Sequence, residues 1–425
     1  GKTTTVVELI SPAIAQGQKV LACAPSNTAV DNLLQRLVAS GKKVVRVGHP
    51  ARVDQRLREF TLDFQVAKHE MMDIVRDMLR EAEGLFRKAG KFTRARPAPG
   101  AKQEMRREAR RLKADARLLE QHAVQSVLDR ADVVCATTTL NEELFGDRRF
   151  GLAVIDEACQ STEPGCWIPL LRADRIVLAG DHCQLPPTVL SKPAAREGLA
   201  TSLLERLVAQ YGDSVTSRLD VQYRMHAHIM QFSSQQFYDD TLLADEAVAS
   251  HLLHDLPAIE SSQLTAEPVA FIDTAGADWT EELEPNGESK RNPKEGAFVL
   301  KKVRELQAAG LSPRDIAVIA PYAAQVRWLR EQWDADDLEI DTVDGFQGRE
   351  KEAVVISCVR SNSTGEIGFL ADTRRMNVAL TRARRKLIVV GDSATLGGHA
   401  FYAELLSYFE SIAAYRSIWD ENLDW

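Results

Sequence analysis

At 425 residues the chain is long enough for two or three domains. Its 44% hydrophobic and 27% charged residues are those of a soluble globular protein, which excludes a disordered or fibrous chain, and no apolar run is long enough for a membrane span. A net charge of −8 means that any nucleic-acid site must be a local basic stripe rather than a global excess.

The chain opens Gly1-Lys2-Thr3-Thr4-Thr5 and continues into the apolar VVELI. This matches the second half of a G-x-x-x-x-G-K-[ST] loop, in which backbone N–H groups and a helix N-terminus hold phosphates, Lys reaches the β/γ oxygens and the hydroxyl binds Mg²⁺. The first half is missing and no Met precedes Gly1, so the spacing implies a chain cut inside its nucleotide loop. Taken by itself, Gly-Lys-Thr also suits an ordinary helix start. Residues 19–24, KVLACA, read as a short buried strand leading into Pro25-Ser26-Asn27-Thr28, with Asn27 or Thr28 near a helix N-cap. Capping accounts for these residues; contact with a nucleic-acid backbone is the sharper alternative.

From about 54 to 127 the pattern turns to long, charged helical periodicity. Between Arg76 and Arg117 fourteen Lys/Arg stand against six Asp/Glu, and Pro97-Ala98-Pro99-Gly100 divides the stretch into two arms of a helical hairpin. A solvated face and a nucleic-acid contact both fit that charge. Residues 132–137, DVVCAT, return to strand and end in Thr137-Thr138-Thr139, hydroxyls that suit a helix cap or a phosphate.

Two apolar runs follow, Leu152 to Ile155 and Ile176 to Ala179, read as fully buried strands. The first stops at Asp156-Glu157 and the second at Gly180-Asp181-His182-Cys183-Gln184, and in open α/β sheets such tips share one crevice beyond the carboxyl ends of the strands. There Asp156 suits a hard divalent cation beside a triphosphate, and Glu157 could polarise water. Asp-Glu after a strand also caps helices. An amphipathic helix from Ser202 to Leu207 closes the first domain, placed at 1–214.

A second α/β domain is expected over 215–425, headed by Leu219 to His226. Residues 240–297 are polar and poorly patterned and read as loops with an acidic excursion at Glu281 to Glu288. A helix at about 294–309, strands at Ile316 to Ala320, Ala353 to Ser357 and Leu387 to Val390, a glycine-bearing loop from Asp341 to Glu350 and a helix from Arg374 to Ala383 complete the chain. Arg382 near that helix's C-terminal end is also favoured there by the helix dipole. The six cysteines show no C-x-x-C spacing; they read as reduced thiols of a cytoplasmic protein, without a zinc site.

The stretches GKT, APSNTAVDNL, VIDEA, GDHCQLPP, QYRMH, TVDGFQGRE and MNVALTRARRKL resemble, in order and rough spacing, the motifs of superfamily 1 helicases. The likeness is to the 5′-to-3′ branch that includes the nonsense-mediated-decay helicase, senataxin and the immunoglobulin-mu-binding helicase. It implies an α/β fold of two tandem RecA-like P-loop domains with parallel sheets, the first carrying a helical insertion at about 54–127. It further implies ATP and Mg²⁺ as cofactors, single-stranded DNA or RNA as partner, no membrane, and a monomeric motor. By motif, Gly1, Lys2, Thr3 and Thr4 would bind phosphates, Thr3 and Asp156 the metal, and Glu157 would activate water. Gln184 would sense the γ-phosphate, and Arg224 and Arg382 resemble arginine fingers. Tyr223 resembles the residue stacked on adenine and Glu350 the one that bonds ribose, and Gly348 would also bind the nucleotide. Pro25, Ser26, Asn27, Thr137, Thr138, Tyr322 and Thr342 would meet the strand. The same motifs also serve an ATP-gated clamp that remodels bound proteins, or an inactive fragment.

Overall fold

The computed structural model describes residues 1–90, 100–285 and 287–421. They form two compact units: Lys2–Asp181 with Pro186–Val215, and Thr216–Trp425 with His182–Leu185 and Gly1.

The first unit is built on five parallel strands, β1 (Val20–Ala24), β2 (Val44–Arg46), β3 (Val133–Thr137), β4 (Leu152–Ile155) and β5 (Ile176–Leu178), in the order β2-β3-β1-β4-β5. Side chains alternate across a strand, and β1 uses both faces. Val20, Ala22 and Ala24 pack under the helices Lys2–Ala15 and Asn27–Ala39 through Val6, Ile10, Val30 and Leu34, while Leu21 and Cys23 meet Val127, Leu128 and Leu203 on the other side. Burial on both faces is why these strands read as unbroken apolar runs. The expectation that the run from Ile176 is equally buried is corrected: β5 is the sheet edge, and Ile176 is 44% exposed.

Between β2 and β3 rise the helices Met71–Gly90 and Ala101–Arg130, which pack along their length. Their buried residues recur every seventh position, Val75, Ala82 and Ala89 on one, Ala109, Ala116 and Ala123 on the other. A seven-residue repeat keeps one seam facing the partner, and small side chains let the axes approach closely. Gly100, with φ +88°, opens the second helix; Pro97, Ala98 and Pro99 lie outside the described residues.

The second unit is a six-stranded parallel sheet of β6 (Val269–Asp273), β7 (Ile316–Ala320), β8 (Glu339–Thr342), β9 (Lys351–Ser357), β10 (Ala383–Gly391) and β11 (Tyr415–Ser417), ordered β8-β7-β9-β10-β6-β11. Helices Pro293–Ala308 and Ala323–Glu331 cover one face through Phe298, Val303, Val326 and Leu329. Met376, Leu380, Tyr402 and Phe409 cover the other. The reading of 240–297 as loops is corrected by β6, whose VAFID is buried through Ile272 beside β10. Both units are thus RecA-like α/β layers, and the first carries the helical hairpin.

None of the six cysteines is in a disulfide among the described residues, and all but Cys183 are buried. No helix among the described residues is long and apolar enough to cross a membrane.

Candidate functional site

In the first unit the chemistry-bearing residues gather at the carboxyl ends of neighbouring strands. Helix Lys2–Ala15 begins at Lys2, whose Nζ lies 2.7 Å from Glu157 and 3.9 Å from Asp156 at the tip of β4. Burial works against the ammonium charge, but Glu157 and then Asp156 outweigh it and hold the Lys2 pKa above its ordinary value. Burial has the larger say at Asp156, whose carboxyl is pushed up although Lys2 and a hydrogen bond from the Thr3 hydroxyl favour its charge. An additional cation at Thr3 and Asp156 would relieve that burial, so the donor set fits a hard metal ion.

Glu157 is a non-glycine residue at φ 53°, a conformation costing about 1–2 kcal/mol. It is retained at the tip by Lys2 and by Gln160 Nε2, which donates to its Oε2 at 3.2 Å. The tips of β4 and β5 meet as expected: Ala158 N donates to Ala179 O at 2.9 Å. A Cβ on Gly180 would stand 3.0 Å from Cys159 N, so a side chain there would have to push this approach apart by a few tenths of an ångström. Thr4 is exposed and its hydroxyl accepts from Arg36 at 3.0 Å.

Beside this tip, β1 and β3 are in register from Val20↔Val133 to Ala24↔Thr137, which brings Pro25–Asn27 and Thr137–Thr138 to the same end of the sheet. The N-cap of helix Asn27–Ala39 is Ser26, which accepts from Ala29 N at 3.2 Å; Asn27 is the first helical residue. Thr138 is buried, with its N–H donating to Ala24 O.

In the second unit Tyr223 is 60% exposed, and Gln222 shapes the turn around it by accepting from the N–H groups of Arg224 and Met225 at 2.8 and 2.7 Å. Arg224 pairs with Glu350 through Nε and donates from Nη1 to Thr381 O at 3.0 Å. Glu350 also pairs with Arg384, which reaches Glu352 at 3.0 Å. Burial disfavours the Glu350 charge, yet Arg224 and Arg384 outweigh it and hold the carboxyl below its ordinary range. The candidate ribose ligand and the candidate finger are therefore partners of each other here.

Arg382 is 2% exposed; its Nε donates to Val378 O at 2.9 Å and its Nη2 to Thr381 Oγ1 at 3.0 Å, the helix-end bonding that its sequence position also allows. Tyr322 follows β7 and is buried, its hydroxyl accepting from Arg360 Nη1 at 3.1 Å and Phe369 N at 3.2 Å. Thr342 ends β8 and its Oγ1 accepts from Gly345 N at 3.2 Å. Gly348 has φ +77°, which favours glycine in the loop before β9. Gln184 belongs to the segment His182–Leu185, which is anchored within this unit by Leu185 in its core and by Asn377 Nδ2 donating to Cys183 O at 2.9 Å.

Arg46 and Arg384 escaped the sequence reading. Arg384 stands in the run Thr381-Arg382-Ala383-Arg384-Arg385, whose charge density was the available signal. Arg46 stands between Val45 and Val47, a position that carries no comparable signal.

Two family models, each described as an AAA domain, match residues 1–192 and 199–394. The chain is 45% identical to rat DNA-binding protein SMUBP-2 over 99% of its own length and 43% of that protein's. It is 38% identical to the DNA polymerase alpha-associated DNA helicase A of Schizosaccharomyces pombe, over 98% of the chain and 63% of the relative. A regulator of nonsense transcripts 1 homolog from Neurospora crassa is 36% identical over 96% of the chain and 36% of its own length. The chain thus spans between about a third and two thirds of these curated relatives. With seven motifs in order on two RecA-like units, the chain belongs to the superfamily 1B helicases, the group of SMUBP-2 and the regulator of nonsense transcripts.

Proposed function

We propose that the chain is the motor core of an ATP-driven helicase or translocase that moves 5′-to-3′ on single-stranded DNA or RNA, as a monomer inside the cell. The observation that carries this reading is the meeting of Lys2, Thr3, Asp156 and Glu157 at one strand tip. Residues 1–214 and 215–425 are taken as the two motor domains.

Lys2 exchanges Glu157 for β/γ phosphate oxygens, aided by the backbone N–H groups of Gly1, Thr3 and Thr4 at a helix N-terminus. Thr3 and Asp156 hold magnesium, which supplies positive charge to the triphosphate. Glu157, released by Lys2, orients the attacking water and takes its proton, a role worth about 10²–10⁴ in rate. By the family resemblance Arg224 and Arg382 would meet the charge that develops on the transferred phosphoryl group, Gln184 would sense the γ-phosphate, Tyr223 would stack on adenine, Glu350 would bond the ribose and Gly348 would also bind the nucleotide. Pro25, Ser26, Asn27, Thr137, Thr138, Tyr322 and Thr342 contact chiefly phosphate and sugar, so that one site serves any sequence.

Phosphate release measured with and without a single-stranded oligonucleotide tests the reading. It predicts severalfold stimulation, abolished in Arg382→Ala, and faster displacement of a strand from a 5′-tailed than from a 3′-tailed duplex. Equal hydrolysis with and without the oligonucleotide contradicts it.

A further inference from the structure

We infer that Arg46, buried beneath the loop after β1, is a positioning residue for nucleic-acid binding: it takes the carbonyl oxygen of Asn27 and so turns the amide N–H2 group outward as a donor to the strand. The inference rests on the reading above that Asn27 meets the strand.

Arg46 ends the edge strand β2 and is 1% exposed. Its Nη2 donates to Asn27 Oδ1 at 2.8 Å, its Nε to Asp31 Oδ1 at 3.3 Å, and its Nη1 to Val47 O. The second Asp31 oxygen accepts from Asp54 N at 2.9 Å, so the acid that holds Arg46 is itself fixed from the other side. A guanidinium has donors and no acceptor, so only the amide oxygen of Asn27 can face it. The amide nitrogen must then occupy the other side of the half-exposed Asn27, at the strand-tip end of the sheet. Two N–H donors there suit phosphate or sugar oxygens, the groups that sequence-independent strand binding uses.

Gly48 supports a built site. Its φ is +143°, and a Cβ on it would stand 2.6 Å from Arg46 Nη1, so the guanidinium occupies the space that any larger residue needs. The clamp ties β2, the 47–54 loop and the first turn of helix Asn27–Ala39 to one cation.

The test is the affinity of the protein for a fluorescein-labelled oligothymidylate, read by anisotropy across a salt series, beside thermal unfolding. Asn27→Asp keeps an oxygen toward Arg46 and replaces the donor by a second oxygen. It should weaken binding by about tenfold or more while leaving the unfolding midpoint unchanged or raised. Arg46→Met and Gly48→Ala, which remove or displace the clamp, should weaken binding severalfold without changing the slope of log Kd against log salt, because no cation that touches the strand is lost. Wild-type affinity in Asn27→Asp overturns the inference even if the Arg46 variant fails to fold. A slope that falls by about one in Arg46→Met overturns it too, since Arg46 would then meet phosphate itself. Failure of the wild-type protein to bind the oligonucleotide overturns the strand-binding reading, and this inference with it.

Discussion

Lys2 and Glu157 hold each other at 2.7 Å, and the proposed function gives the same Lys2 to an incoming triphosphate. The pair is then a lock that phosphate must open, so Glu157→Gln should bind ATP severalfold more tightly than wild type, by fluorescence titration of a labelled nucleotide; weaker binding would show that the pair helps rather than competes. A second residue sets a pH dependence. Glu295 is wholly buried, its Oε1 accepting from the Ser357 hydroxyl and from Val359 N at 2.8 Å, while Oε2 has no hydrogen-bond partner among the described residues. Burial, only partly offset by those bonds, pushes its carboxyl from 4.5 up to about 7. Between those values the folded protein binds the extra proton, so stability is greatest below pH 4.5 for this group and falls as pH rises to 7, by up to about 3 kcal/mol. Glu295→Gln should remove most of that slope, and an unchanged difference in unfolding free energy between pH 5 and pH 8 would contradict the assignment. Asp156, Glu157 and Lys2 were legible because motif spacing fixes them. Glu295, Arg46 and Arg384 were not, since each owes its role to partners that the fold, rather than the sequence order, brings near.

At the scale of elements, apolar runs ending in polar residues located β1, β3, β4, β7, β9 and β10, because strands covered on both faces have no polar alternation to blur them. β6 obeys the same rule, VAFID before Thr274, and was hidden by the polar segments around it. β5 kept its apolar sequence yet lies at an edge, a property of sheet order that no local pattern carries. The hairpin was legible as helix, while its seam of Val75, Ala82 and Ala89 against Ala109, Ala116 and Ala123 needed the pairing to be seen. That seam has no room for a large side chain, and Ala116, 1% exposed, sits in its middle. Ala116→Leu should therefore cost about 1–3 kcal/mol by overpacking, read as faster amide exchange along both helices. Exchange as slow as in wild type would mean that the helices do not depend on close approach.

For the whole molecule, a net charge of −8 gives no hint of a polyanion partner, and the assignment rests instead on where a few residues converge. The first unit brings the residues proposed for phosphate, metal and water, Lys2, Thr3, Asp156 and Glu157, to the tip of β4; the second carries Arg224, Glu350, Arg384 and Arg382 in a bonded cluster. Reading that cluster as the source of transition-state charge asks Arg224 to leave Glu350, with Arg384 remaining as the carboxylate's counter-ion. Arg384→Ala leaves Glu350 to Arg224 alone and should lower kcat severalfold at saturating ATP; a raised kcat would show that Arg384 competes instead. The most direct measurement of the central claim is single-turnover hydrolysis of ATP at saturating single-stranded oligonucleotide, wild type beside Glu157→Gln with both fully loaded with nucleotide. The expected rate is about 10²–10⁴ lower in the variant; equal rates would remove Glu157 from the chemistry and contradict its proposed role.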